Sequence, residues 1–200
     1  MKLEIMALSA IHLGVLILLT LAAGGLVHHF IKERGFAFSP CLTYLFLVCV
    51  VVALYIVGGF SMWTVKGIAL ALILLYASAQ DLSTHEADDF VWGMLLILSL
   101  VNFGDVGIGS MIMGALGVFV PQILVAIFAK KGGIGGADIK ISTAAALSLG
   151  FCGGVLGYML GLIFAIVFQA IRSMVMISSR QEPFPLLPFL STGLLIGYFM

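Results

Sequence analysis

Two aspartates stand where apolar stretches of this sequence meet polar ones. Asp81 comes two residues after the apolar run Trp63–Ala79, and Asp138 follows a glycine-rich stretch, residues 130–136, directly before another apolar run. Four of the five residues 132–136 are glycine, which disfavours helix and lets the backbone approach a neighbour closely. A carboxylate at the edge of a hydrophobic segment is costly to keep, so both acids are candidate functional groups.

A pair of acids from separate elements can hydrolyse a peptide bond. Two close carboxylates cannot both ionise easily, so one of them keeps a proton near neutral pH. The charged carboxylate can take a proton from water while the protonated one polarises the scissile carbonyl. This chemistry needs no metal and no covalent intermediate, so we expect neither a metal site nor a cofactor.

The composition indicates which elements must position the two acids. Of 200 residues, 62% are hydrophobic and 9% are charged, which is typical of a polytopic membrane protein. The apolar runs lack the alternation of a membrane β-barrel, so they must be helices. We therefore predict an all-α fold with about eight transmembrane helices embedded in a lipid bilayer. The runs are Ile5–Val27, Cys41–Val57, Trp63–Ala79, Phe90–Phe103, Val106–Ala129, Ile139–Cys152, Val155–Ile177 and Leu186–Met200. A turn between the sixth and seventh helices is predicted at Gly150, Gly153 and Gly154.

The basic residues predict the orientation of these helices. Loops rich in Lys and Arg face the cytoplasm. With eight spans, Lys2 and Lys66 fall on one side and the other seven basic residues on the opposite side. These seven are Lys32, Arg34, Lys130, Lys131, Lys140, Arg172 and Arg180. The cytoplasmic side then holds both the loop 80–89 and the glycine-rich stretch, so Asp81 and Asp138 are expected at the same membrane boundary.

Three motifs carry a resemblance to a known family. They are Asp81–Glu86, the Gly-Gly-Ala-Asp-Ile-Lys sequence of Gly135–Lys140, and the proline-containing start of the last helix, Pro185–Leu190. Together they resemble the motifs of type IV prepilin peptidases, which are aspartic membrane peptidases of pilus, competence and secretion systems. The similarity covers about residues 41–200. We predict one integral-membrane domain over 1–200, in which residues 1–40 add a helix and a cytoplasmic loop.

The resemblance implies a role for particular residues. Asp81 and Asp138 would be catalytic, whereas Gly135, Gly136 and Lys140 would bind substrate or support the loop. The implied substrates are prepilins or pseudopilins, cut after a short basic leader at the cytoplasmic face of the inner membrane. No nucleic-acid partner is expected.

The sequence departs from the family pattern in three places. Ala137 replaces the second glycine of the family's Gly-x-Gly-Asp motif, and Ala87-Asp88 stands where Ile-Pro is usual. The cytoplasmic domain with paired Cys-x-x-Cys motifs, which accompanies N-methylation in larger members, is missing. The resemblance therefore implies a minimal, peptidase-only form.

The same residues are open to other functional interpretations. A small cation-coupled transporter could use the same two acids, but it would be expected to have inverted repeats and helices broken at mid-membrane. A homologue that binds pilins without cutting them is a further alternative. A presenilin-type protease would have Tyr where Gln80 precedes Asp81. Asp88 and Asp89 are interpreted as solvated surface acids, and Lys140 as a snorkelling residue or a substrate contact.

Helix ends suggest how the two acids would divide the work. Asp138 is expected at a helix N-terminus, where the macrodipole favours an anion, and Asp81 at a helix C-terminus, where it does not. The hypothesis is that Asp138 activates water while Asp81 carries the shared proton.

Overall fold

The computed structural model describes residues 2–35, 39–101, 103–128, 135–175 and 184–200. In these ranges the chain is helical, with no strand, and the predicted all-α fold is confirmed. The helices are α1 (Lys2–Glu33), α2 (Pro40–Gly58), α3 (Met62–Thr84), α4 (Asp89–Leu100), α5 (Phe103–Val106), α6 (Ile108–Phe128), α7 (Gly136–Val175) and α8 (Leu187–Tyr198).

Five of the described helices are long and apolar enough to cross a membrane: α1, α2, α3, α6 and α7. Helices α4 and α8 are apolar but shorter, with 12 residues each. The chain is therefore a multi-pass membrane protein, and its exposed apolar side chains are suited to contact with lipid. The predicted runs match these helices to within a few residues, apart from the longer C-terminal ends of α1 and α3 and the short α5, which was not predicted.

Helix α7 is two helical segments joined at Gly150, where the turn was predicted. Gly150 has φ 81° and ψ −172°, a conformation outside the helical region that glycine adopts without strain. After this break the chain packs against the segment before it, because a Cβ placed on Gly154 would lie 2.8 Å from the Cβ of Ala146. We call residues 136–149 the first segment of α7 and residues 151–175 the second.

The chain divides into two compact units, residues 1–72 and 73–200. In the first unit α1 packs on α2, and the Tyr55 hydroxyl donates a hydrogen bond of 2.7 Å to the carbonyl of Ser9. In the second unit α7 packs on α4, α6 and α8. Both candidate acids lie in this second unit.

Glycines allow the second segment of α7 to contact α8 backbone to backbone. Gly153, Gly157 and Gly161 recur every four residues on α7, and Gly193 and Gly197 do so on α8. A Cβ on Gly153 would lie 2.7 Å from the carbonyl oxygen of Gly197. Small residues at this spacing let membrane helices approach closely, where van der Waals contact holds them together. This packing fixes the position of α8 against α7.

Candidate active site

Asp81 lies in the last turn of α3 and is buried, with 6% of its surface exposed. Its Oδ2 accepts a hydrogen bond of 2.9 Å from the backbone N–H of Leu187. Leu187 is the first residue of α8, so this N–H has no partner within its own helix. The carboxylate at the end of one helix thus caps the start of another.

A second polar contact lies one helical turn away on the same two helices. The hydroxyls of Ser78 on α3 and Ser191 on α8 are hydrogen-bonded at 2.9 Å, and both residues are buried. Ser78 Oγ also donates to the carbonyl of Leu74 in its own helix, at 2.7 Å. Together with the bond from Leu187, this pair holds the end of α3 in register with α8.

Asp138 lies in the first turn of α7 and is half-buried. A backbone hydrogen bond from Gly135, the residue that precedes the helix, reaches its carboxylate. The carbonyl of Gly135 in turn accepts from the N–H of Ile139 at 3.2 Å. This arrangement is one half of a capping box, in which the side chain of the third helical residue accepts from the backbone N–H of the residue before the helix.

Only one of the two glycines predicted to support the loop has a steric reason to be glycine. A Cβ on Gly135 would lie 3.0 Å from Oδ2 of Asp138, which is tighter than ordinary contact. Glycine at this position therefore lets the carboxylate lie against the backbone. A Cβ on Gly136 would meet no atom within 4 Å. The remaining residues of the glycine-rich stretch, 130–134, lie outside the described residues.

The fold brings the two predicted acids together. Asp81 and Asp138 are close enough for their charges to repel one another, although they lie 57 positions apart in the chain. Tyr158, on the second segment of α7, is also close enough to interact electrostatically with Asp138, and it is buried. Tyr158 was not among the predicted site residues, although a tyrosine within an apolar run is a visible signal. The site thus combines two carboxylates and one phenol.

Lys140 forms an ion pair with Asp89 in the structure. Its Nζ lies 2.7 Å from Oδ1 of Asp89, the first residue of α4. The hydrogen bond and the charge of Lys140 lower the pKa of the Asp89 carboxyl from its ordinary value. Both side chains are more than half exposed, so the pair contributes little to stability. It does tie the start of α4 to the start of α7.

The loop between α3 and α4 is bonded back to α3. The side-chain oxygen of Gln80, which is buried, accepts from the backbone N–H of Asp88 at 3.1 Å. The Tyr76 hydroxyl donates to Oδ2 of Asp88 at 3.3 Å. The interpretation of Asp88 as a solvated surface acid is therefore wrong, because this residue is partly buried and its side chain contacts α3. Asp89, in contrast, is exposed.

An apolar cavity of about 300 Å³ lies between α4, α6 and α7, away from the two acids. It is lined on α7 by Ile139, Lys140, Thr143, Ala144 and Leu147. At 3.6 residues per turn these positions lie on the far side of the helix from Asp138. The cavity is therefore not the place where the two carboxylates would react.

No metal centre is seen in the part of the chain that the structure describes. None of its His, Cys, Asp and Glu side chains form a group of three or more that could hold an ion. The arrangement that is present, a buried and a half-buried acid whose charges interact, can exchange protons with a water molecule and a substrate.

Comparison with known proteins places these features in a family. The model of the type IV leader peptidase family matches residues 68–173, which include both acids and the site around them. Comparisons with curated proteins and with solved structures gave no match.

Proposed function

This chain belongs to the type IV leader peptidase family, and we propose that it is an aspartic endopeptidase that removes the leader from prepilin-like proteins. Its substrates would be prepilins or pseudopilins, held in the inner membrane and cut at the cytoplasmic face. The observation that carries the proposal is the pairing of Asp81 and Asp138, which come from α3 and α7 and whose charges interact in one site.

The reaction follows from a pair that holds one proton. The ionised carboxylate takes a proton from water, and the resulting hydroxide attacks the carbonyl carbon of the scissile bond. The protonated carboxyl gives its proton to the carbonyl oxygen. The tetrahedral intermediate then collapses: one of its hydroxyls returns a proton to the pair, the leaving nitrogen takes a proton from the pair, and the C–N bond breaks. The pair is left with one proton, as it began.

Helix ends do not assign the two roles once the tertiary contacts are known. Asp138 lies at the N-terminus of α7, as expected. Asp81 lies at the end of α3 but also accepts the first N–H of α8. Each acid therefore receives a backbone N–H at a helix N-terminus, and the argument that only Asp138 does so is wrong. The proton is best assigned to the pair, and we expect cleavage to have a bell-shaped pH dependence.

Leader removal in cells tests the proposal. We expect Asp81→Asn and Asp138→Asn each to abolish cleavage of a co-expressed prepilin, because an amide has no titratable proton. Membrane levels of both variants should equal that of the wild type. Leader loss is measured by the mass of the mature pilin.

Asp89→Asn is the matched control, because it makes the same chemical change at an exposed acid of the same unit. We expect cleavage within a few-fold of wild type. An inactive Asp89→Asn enzyme beside an active Asp81→Asn enzyme would contradict the site assignment. If the wild-type chain instead took up a cation and left the prepilin intact, the transporter alternative would replace the peptidase.

A further inference from the structure

A buried amide lies in the apolar helix that packs beside Asp138. Gln122 on α6 has no exposed surface. An uncharged polar group inside a membrane helix is costly unless it is hydrogen-bonded, and such groups often mark function. Gln122 therefore needs a physical explanation that packing alone does not supply.

The hydrogen bonds of Gln122 lead to Asp138. Its Nε2 lies 2.8 Å from Oγ of Ser142, one turn beyond Asp138 on α7, and 3.1 Å from the carbonyl of Val118 in its own helix. A carbonyl only accepts, so the NH₂ group must face Val118, which fixes the orientation of the amide. Ser142 Oγ lies 2.6 Å from the carbonyl oxygen of Asp138.

The direction of these bonds is determined by their donors and acceptors. The hydroxyl of Ser142 has one proton, and the carbonyl of Asp138 can only accept it. Ser142 therefore donates to Asp138, the nearer of its two backbone acceptors (2.6 Å, against 3.4 Å for the carbonyl of Ile139), and accepts from Gln122. The result is a chain of two hydrogen bonds from α6 to the backbone of the candidate catalytic acid, in which each bond strengthens the next.

The oxygen of the amide argues against a purely stabilising role. Oε1 of Gln122 is buried and has no hydrogen-bond partner among the described residues. A buried acceptor without a partner lowers the stability of the fold, and an apolar side chain of similar size would avoid that cost. The contribution of this residue must therefore come from what its NH₂ group holds.

We infer that Gln122 is a positioning residue for Asp138 and acts through Ser142. The inference depends on the proposed function, in which Asp138 is a reacting acid. The first turn of a helix has few backbone bonds of its own, so its orientation depends on outside contacts. Gln122 and Ser142 tie this turn to α6, and thereby set where the Asp138 carboxylate lies relative to Asp81.

Kinetics of purified variants test the inference. We expect Gln122→Met and Ser142→Ala each to lower kcat for leader cleavage by about tenfold or more, since small misplacements of a reacting group cost this much. KM should stay within about twofold, because no substrate contact is removed. The double variant should be no slower than the slower single variant, since both changes break the same chain.

Ser99→Ala is the matched control. Ser99 is also a buried serine, on α4, and its hydroxyl donates to a carbonyl of its own helix, that of Leu96, at 2.6 Å. We expect this variant to retain kcat. The inference would be overturned if the fold-decrease in kcat of the double variant equalled the product of the fold-decreases of the two single variants. A lower Tm with unchanged kcat in Gln122→Met and Ser142→Ala would also overturn it, because the two residues would then only stabilise the fold.

Hydrogen exchange gives a measurement that needs no activity. In Gln122→Met, the amides of residues 136–142 should exchange faster than in wild type and in Ser99→Ala, because the first turn of α7 has lost its contact with α6. Equal exchange rates would overturn the inference. If the wild type cut no prepilin, the proposed function would fail, and these rates would still decide whether Gln122 holds the turn.

Discussion

At the scale of single residues, the two candidate acids are distinguished from Asp89 by burial and by backbone donors. Asp81 accepts from the first N–H of α8, and Asp138 from the N–H of Gly135. Asp89 instead pairs with an exposed lysine. Sequence alone did not separate Asp88 from Asp89, because the bonds that hold Asp88 come from Tyr76 and Gln80 on another helix.

The pair of Lys140 and Asp89 leads to a prediction about pH. Because the folded pKa of Asp89 is lowered, its bond to Lys140 stabilises the fold above the ordinary carboxyl pKa. This contribution is lost as pH falls through the lowered value. Asp89→Asn should therefore have a slightly lower Tm than wild type at pH 7, and the two should converge in strong acid. A constant difference across this range would contradict the pairing.

The same pair tests whether Lys140 binds substrate. If its role is the bond to Asp89, then Lys140→Gln and Asp89→Asn should change KM equally little, and the double variant should resemble either single one. A rise in KM in Lys140→Gln alone would instead support the predicted substrate contact. Initial rates of leader cleavage over a range of prepilin concentrations distinguish the two outcomes.

At the scale of elements, the end of α3 has an unusual cap. His85 follows the last residue of the helix with φ 54°, the left-handed conformation that glycine normally supplies there, and its N–H bonds the carbonyl of Asp81. A side chain in this conformation costs about 1 kcal/mol. His85→Gly should therefore raise stability by up to about 1 kcal/mol, whereas His85→Ala, which keeps a Cβ, should not. Thermal unfolding in detergent measures the stability of both variants. An equal gain in the two would mean that the left-handed backbone conformation is not the cause.

The contact between α7 and α8 predicts opposite effects for two glycines. A Cβ on Gly193 would collide with the backbone of Gly157 and Gly161, whereas one on Gly93 in α4 would meet no atom within 4 Å. Gly193→Ala should therefore lower stability by about 1–3 kcal/mol, the usual cost of overpacking. Gly93→Ala should be neutral or slightly stabilising, because alanine favours helix. Equal stabilities of the two variants would mean that the close contact between α7 and α8 does not contribute to stability.

The elements show what a sequence can and cannot predict. The positions of the helices follow from the length of the apolar runs, and the break at Gly150 follows from a glycine cluster. The contact of Asp81 with Leu187 could not be predicted, because it depends on how α8 packs against α3. The glycines of α7 and α8 recur at a spacing that membrane helices use, so their contact was visible in principle.

At the scale of the whole molecule, the family assignment and the fold class follow from motifs and composition, whereas the orientation in the membrane stays a prediction. Basic residues predict that the end of α3 and the start of α7 face the cytoplasm. The interaction between Asp81 and Asp138 requires these two helix ends to lie at the same membrane boundary. Orientation and catalysis are thus linked by one geometric condition.

Cysteine labelling tests that condition. The chain has three cysteines, Cys41, Cys49 and Cys152, all exposed on the protein, so they must first be replaced. In that background, Glu86→Cys and Lys131→Cys should react only with reagents that reach the cytoplasm, whereas Gly59→Cys and Asp105→Cys should react from outside. Glu86 follows the end of α3 and Lys131 precedes α7, so these two positions report on the two acids. Labelling of Glu86→Cys and Lys131→Cys from opposite sides would place Asp81 and Asp138 at opposite membrane boundaries, and no water molecule could then lie between them.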